Sequence, residues 1–251
     1  MSQIHILVVN PNSSESMTHE VEQNIRALFK KELNSKSLAL TFATGPASAP
    51  LQIDGKESSL RSAEACLPML TDAGSVYFYN KYDGVLVACF SDHPLVAELL
   101  SVIKSTTSKT VVMGLLDTSI HYCNMINSKP FSIITSNKEW VPILNESVES
   151  KYLTSSVINQ SLWKGTISSD IQVLDLHLPE NFAKIVDVIR KENIERLKSK
   201  IIILGCAGFS GLQTSLSKEF PGAGIVFVDS VAIGVRVVMM IADFNKSVSS
   251  P

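Results

Sequence analysis

Short, unbroken apolar runs alternate along the chain with segments whose apolar residues recur at helical spacing. The runs are Ile4–Val9, Leu38–Ala43, Gly84–Phe90, Thr110–Leu116, Phe131–Thr135, Ile201–Gly205 and Ile225–Val228. Several are rich in Val and Ile and lack polar alternation. That is the pattern of strands covered on both faces, as in a parallel sheet. Between them, Val21, Ile25, Leu28 and Phe29 fall on one face of a predicted helix, and Phe182, Ile185, Val186 and Ile189 on one face of another. Strand–helix alternation predicts an α/β fold with parallel, doubly wound sheets. The first helix should open after Asn10-Pro-Asn-Ser-Ser, with Asn12 or Ser13 as its N-cap. Thr44–Leu60 is rich in Gly, Pro, Ala and Ser and reads as a long loop, and the polar tail from Ser247 should fray.

One pair of segments suggests an internal duplication. Asp83-Gly-Val-Leu-Val-Ala-Cys-Phe-Ser resembles Ser199-Lys-Ile-Ile-Ile-Leu-Gly-Cys-Ala-Gly. Each is a buried strand that runs into a cysteine followed by small or polar residues. Two related α/β lobes, each offering one strand-end thiol, would produce it.

The 251 residues suffice for one large α/β domain or two small ones. An apolar fraction of 45% against 18% charged reads as globular. The formal net charge is −2 with acids and bases intermixed, which argues against nucleic acid and against a membrane surface as partners. The start leads directly into an apolar strand rather than a secretory signal. Val231–Phe244 is interrupted by Arg236 and Asp243 and is too short to span a bilayer. A cytoplasmic protein is expected. Its four cysteines, Cys66, Cys89, Cys123 and Cys206, lack CxxC spacing and are read as reduced thiols.

Ligands of open α/β sheets bind at the carboxyl ends of strands. Cys89 and Cys206 both lie at predicted strand ends, ahead of helix starts near Asp92–Pro94 and Ser210–Gly211. Backbone N–H groups and the helix dipole at such turns favour thiolate and hold developing negative charge. The alternative is a small apolar side chain that merely packs, and from position alone both readings stay open. Cys66, within Ser62–Leu70, and Cys123 are expected in the core. His93, four residues after Cys89, invites a Cys–His pair but reads first as an exposed helix-cap residue. GxSxG is absent around Ser91 and Ser210, and Gly205-Cys-Ala-Gly-Phe-Ser-Gly lacks the lysine of a phosphate loop. No motif calls for a metal.

Five segments carry a family resemblance. Asn10-Pro-Asn-Ser-Ser-Glu-Ser-Met-Thr resembles the N-terminal signature of hydantoin racemases, and Gly45-Pro-Ala-Ser the loop after their second strand. Asp83–Asp92 and Leu204-Gly-Cys-Ala-Gly resemble their two cysteine strands, and Asp229-Ser-Val-Ala their terminal turn. They occur in family order over nearly the whole chain. The chain therefore looks like a hydantoin racemase of the allantoin type, within the aspartate/glutamate racemase superfamily. It departs from the family at Asp117, where glutamate is usual, at Ser230, where glycine is usual, and at Phe209, where methionine is commoner.

The resemblance implies two pseudo-two-fold-related lobes with the active site in the cleft between them. Lobe 1 would be 1–110 completed by 229–251, and lobe 2 would be 111–228. It implies an isomerase that racemises a five-membered ureide ring, allantoin or a 5-substituted hydantoin, without a cofactor or metal. Such an activity belongs to purine catabolism and nitrogen metabolism. Cys89 and Cys206 would be the catalytic pair. The backbone at Phe90–Ser91 and Ala207–Gly208 would hold the enolate oxygen. Asn10 and Ser13 would hydrogen-bond the ring or else cap the turn, with Asp117 and Thr135 as further contacts. The partner is a small molecule, and a homo-oligomer is compatible with the family. Decarboxylases or isomerases of the superfamily, and a catalytically silent ureide-binding protein, are the rival readings.

Overall fold

The computed structural model describes residues 3–126, 128–153 and 157–248; the end of the predicted fraying tail, 249–251, lies outside the described residues. Its strands are β1 (Ile4–Asn10), β2 (Leu38–Thr44), β3 (Gly84–Val87), β4 (Val111–Gly114), β5 (Phe131–Thr135), β6 (Trp163–Ser168), β7 (Ile201–Leu204) and β8 (Val226–Asp229). The helices are α1 (Glu15–Leu28), α2 (Lys30–Asn34), α3 (Lys56–Thr71), α4 (Pro94–Lys104), α5 (Leu115–Ile126), α6 (Trp140–Lys151), α7 (Val157–Leu162), α8 (Pro179–Val188), α9 (Gln213–Glu219) and α10 (Ser230–Ser247).

The strands form two four-stranded sheets in the orders β2-β1-β3-β4 and β6-β5-β7-β8. Every pairing is parallel. The two orders are the same, with β5 in the place of β1 and β7 in the place of β3. The apolar runs explain the buried strands: β3, β5 and β7 are buried at every position. β6 was not expected from the sequence. It is an edge strand, half-exposed along most of its length and interrupted by Gly165 at φ +102°, so it carries no continuous apolar run.

The chain divides into two compact units. One comprises Met1–Cys89, His93–Leu115 and Gly234–Pro251; the other comprises Phe90–Asp92 and Leu116–Ile233. The division thus falls at 115/116 rather than 110/111, because β4 pairs with β3 and completes the first sheet. At the C-terminal end it falls at 233/234 rather than 228/229, so the first turn of α10 belongs to the second unit. In the first unit Leu7, Val9, Val85 and Val87 from the sheet pack with Cys66 and Leu70 of α3 and Leu95 and Leu99 of α4.

Several boundaries differ from the apolar pattern for local reasons. Ser14 is the N-cap of α1, not Asn12 or Ser13: its Oγ accepts from Met17 N–H at 3.3 Å. α1 stops at Leu28, so Phe29 leaves the helical arc and is buried, while Leu28 is 44% exposed. The long loop after β2 ends at Gly55, where α3 begins. The run Thr110–Leu116 turns from strand to helix at Leu115. No helix among the described residues is long and apolar enough to cross a membrane.

Candidate active site

In the first unit β1 and β3 are neighbours, although β2 lies between them in sequence. Their carboxyl ends therefore form a topological switch point, where such sheets bind ligands. Asn10 ends β1, and half-buried Cys89 comes two residues after β3. The Asn10 side chain is engaged by its own turn. Its Nδ2 donates to Asn12 Oδ1 at 2.8 Å, Thr18 Oγ1 at 2.9 Å and Ser14 O at 3.2 Å. Asn12 Oδ1 in turn accepts from Ser14 N–H at 2.9 Å. Ser13 N–H donates to Pro50 O at 3.0 Å, which ties the loop after β2 to this turn.

His93 is the N-cap of α4, and its Nδ1 accepts from Leu95 N–H at 3.3 Å. It is a cap residue as read from the sequence, but buried rather than exposed. An Nδ1 that accepts leaves Nε2 to carry the proton of a neutral ring.

Two cysteines are structural. Cys66 Sγ–H donates to Pro11 O at 3.4 Å beside Ser62 Oγ–H at 2.6 Å, and burial pushes its thiol up to about 11. Burial pushes Cys123 up to about 12. Both thiols therefore stay protonated near neutrality, as the sequence reading expected of core cysteines.

The second unit repeats the arrangement. β5 and β7 adjoin across a second switch point. Thr135 ends β5, and its Oγ1–H donates to Gly205 O at 3.2 Å. Cys206 comes two residues after β7, the same offset as Cys89 from β3. It is 9% exposed and opens a single 3-10 turn, Ala207–Phe209. Its Sγ accepts from Gly208 N–H at 3.4 Å, a contact that favours an ionised sulfur.

Two glycines let this loop pack. A Cβ on Gly205 would stand 2.4 Å from Ile133 Cγ2, 3.0 Å from Ile134 O and 3.2 Å from Phe90 Cε1. One on Gly208 would stand 2.8 Å from Val173 O. Phe90 and Ser91 are both buried, and Ala207 likewise.

Asp117, in the first turn of α5, accepts a hydrogen bond from Tyr152 Oη. Burial first, and then the Asp117 charge and this bond, push the Tyr152 phenol far up, so it stays protonated and donates. Asp92 pairs with Lys151 on the surface, where an ion pair is worth little.

Within the second unit, then, Thr135 is hydrogen-bonded to Gly205, Phe90 lies beside Gly205, and Gly208 N–H is hydrogen-bonded to Cys206. Asp117 stands with Tyr152, a residue with no functional signal in the sequence. In the sequence Asp229 stands out only as part of the family-like terminal turn. It caps α10 from the end of β8, a strand–Asp–helix signal that is visible in the sequence. Tyr152 left no such signal, since it lies 35 residues from its partner.

Two parallel sheets of one order, each with a cysteine at the same offset from its switch-point strand, define an α/β protein with a repeated, thiol-bearing half. Residues 6–238 match the family described as Asp/Glu/Hydantoin racemase, and the chain belongs to that family. It is 53% identical over 243 residues to Protein DCG1 of Saccharomyces cerevisiae, covering 96% of this chain and 98% of that one. It is 26% identical over 251 residues to a hydantoin racemase of Pseudomonas sp., covering 97% and 88%. Its fold is similar to that of the allantoin racemase from Klebsiella pneumoniae, with TM-score 0.76 and 21% identity over 97% of this chain and 89% of that one.

Proposed function

We propose that this protein racemises a five-membered ureide ring, allantoin or a 5-substituted hydantoin, with Cys89 and Cys206 as the acid–base pair. The observation that carries this reading is the equivalence of the two thiols. Each lies two residues past the third strand of a 2-1-3-4 parallel sheet, in a family of racemases.

The ring C5–H is a carbon acid beside a carbonyl. A thiolate on one face takes that proton, and the electron pair passes to the carbonyl oxygen as an enolate. The thiol on the other face then delivers its own proton to C5, and the configuration inverts. The first sulfur is left protonated and the second ionised, which is the starting state for the reverse direction. Cysteine suits this work because its ordinary pKa, about 8.5, lies near the working pH. Acid–base catalysis of this kind is worth on the order of 10²–10⁴-fold. The remainder is assigned to N–H donors at Phe90–Ser91 and Ala207–Gly208 that hold the enolate oxygen. Ser13 and Asp117 are assigned to ring recognition, and Thr135 to bracing the Cys206 loop, because its hydroxyl already donates to Gly205 O. Asn10 is given the bracing of its turn, because its amide N–H groups are already engaged there.

The test is circular dichroism of enantiopure allantoin and a 5-substituted hydantoin, with C5-proton exchange in D₂O. The wild type should exchange and racemise either enantiomer. Cys89→Ser and Cys206→Ser should each abolish racemisation, and any exchange left should be confined to one enantiomer. Full racemase activity in either single variant would overturn the two-base scheme, and no optical change with either ring would overturn the function.

A further inference from the structure

The loop that carries Cys206 is held by one buried carboxylate. Asp229 is the last residue of β8 and pairs in register with Leu204, two residues before Cys206. Its Oδ1 accepts from the N–H groups of Val231 and Ala232, each at 3.0 Å, and so caps the first turn of α10. Its Oδ2 accepts from Gly211 N–H at 3.0 Å.

Between Cys206 and Gly211 the chain is braced at each step. Phe209 N–H donates to Cys206 O and Ser210 N–H to Ala207 O, both at 3.0 Å. Gly208 N–H points at Cys206 Sγ. Gly211 has φ +86°, a conformation that favours glycine. A helix cap alone needs one accepting oxygen, which Ser, Thr or Asn would supply. The carboxylate brings a second acceptor, and here that acceptor goes to the loop of the thiol. Burial pushes the Asp229 carboxyl up, and the backbone hydrogen bonds from Ala232, Gly211 and Val231 oppose that shift.

We propose that Asp229 is a positioning residue for Cys206: by holding Gly211 it keeps the Gly208 N–H on the Cys206 sulfur. The kinetic consequence rests on the racemase reading; the effect on the thiol does not. In a two-base scheme each thiol takes the proton of one enantiomer only. A fault local to Cys206 must therefore strike the two enantiomers unequally, whereas general loosening strikes them alike.

Asp229→Asn preserves shape and one accepting oxygen for α10 but turns an NH₂ group toward Gly211 N–H. Gly211→Ala attacks the same clamp from its other end and leaves the cap intact, so it carries the test alone should Asp229→Asn not fold. C5-proton exchange is measured in D₂O on each allantoin enantiomer separately, beside Cys206→Ser. Alkylation of Cys206 and Cys89 by iodoacetamide is followed by peptide mass spectrometry across pH.

The enantiomer whose exchange Cys206→Ser abolishes should slow by about tenfold in both variants, the scale of one hydrogen bond to a charged group. The other enantiomer should change by less than about threefold. The Cys206 alkylation profile should move to higher pH while that of Cys89 stays in place, since a thiolate that loses an N–H donor is less stabilised. Equal slowing of both enantiomers, or an unmoved Cys206 profile, overturns the proposal. If the wild type exchanges neither enantiomer, the racemase reading fails on its own. The alkylation profile then still decides the role of Asp229, an upward shift supporting it and no shift overturning it.

Discussion

Four cysteines of one covalent type differ in their hydrogen bonds: Cys66 Sγ–H donates to a carbonyl, whereas Cys206 Sγ accepts an N–H. Cys66 and Cys123 are pushed up to about 11 and about 12 by burial. Their folded pKa values lie above the unfolded ones, so the stability they contribute is complete below the ordinary thiol range. It is lost as pH rises from about 9 toward those values, at up to about 1.4 kcal/mol per pH unit for each thiol. Urea titrations should therefore show unfolding free energy falling over that window, and Cys66→Ala should flatten the fall while lowering stability at neutral pH. An unchanged alkaline slope in Cys66→Ala would contradict the assignment. Tyr152 is a second residue-scale case. Tyr152→Phe leaves the half-buried Asp117 short of a donor and should cost about 1–3 kcal/mol by chemical denaturation. The strand-end cysteines were legible because an apolar run pointed at each. The Asp117–Tyr152 pair was not, because two polar residues that meet across α5 and the end of α6 leave no periodic trace.

At the scale of elements, legibility followed burial. β5 and β7 are covered on both faces and read as continuous Val/Ile-rich runs. β6 is a sheet edge, and Lys164, Gly165 and Ser168 break the run that would have announced it. The turn after β1 was legible as a cap signature but not to the residue. Asn10, Asn12, Ser13 and Ser14 are all good capping types, and only the hydrogen bonds select Ser14. Ser14→Ala should thus cost about 0.5–2 kcal/mol, and Ser13→Ala much less. Thermal melts of the two variants, side by side, check the order; a larger loss for Ser13→Ala would reverse the assignment. Gly205 tests the end of β7 in the same way. A methyl there meets Ile133 Cγ2 at 2.4 Å and the Ile134 carbonyl at 3.0 Å, and the backbone contact has no side chain to rotate away. Gly205→Ala should destabilise by about 1–3 kcal/mol through overpacking.

At the scale of the molecule, the chain runs through one unit, then the other, and then returns. Residues Gly234–Pro251 belong to the first unit although the second precedes them in sequence. Val235, Val238 and Ala242 of α10 are buried there, and Gly84 has no Cβ because Val238 Cγ1 would lie 2.2 Å from it. Lys246, in the last turn, donates to Gln3 O at 2.9 Å and pairs with Asp83 at 2.7 Å, which fastens the helix to the start of β1 and β3. A chain ended at Ile233 loses these contacts and uncovers Leu86, against which Gly234 packs. Burying one Val side chain is worth about 1.5–3 kcal/mol. Losing Val235 and Val238 together therefore removes a large part of a typical domain stability of about 5–15 kcal/mol. The second unit keeps its sheet, its Cys206 loop and residues Ser230–Ile233, including both N–H groups that Asp229 caps. Hydrogen exchange followed by mass spectrometry should show the truncated chain losing protection in β1 and β3 while β5 and β7 stay protected. Protection lost equally from both sheets would mean that the chain unfolds as one cooperative unit, and that the return of α10 stabilises the whole molecule rather than the half it re-enters.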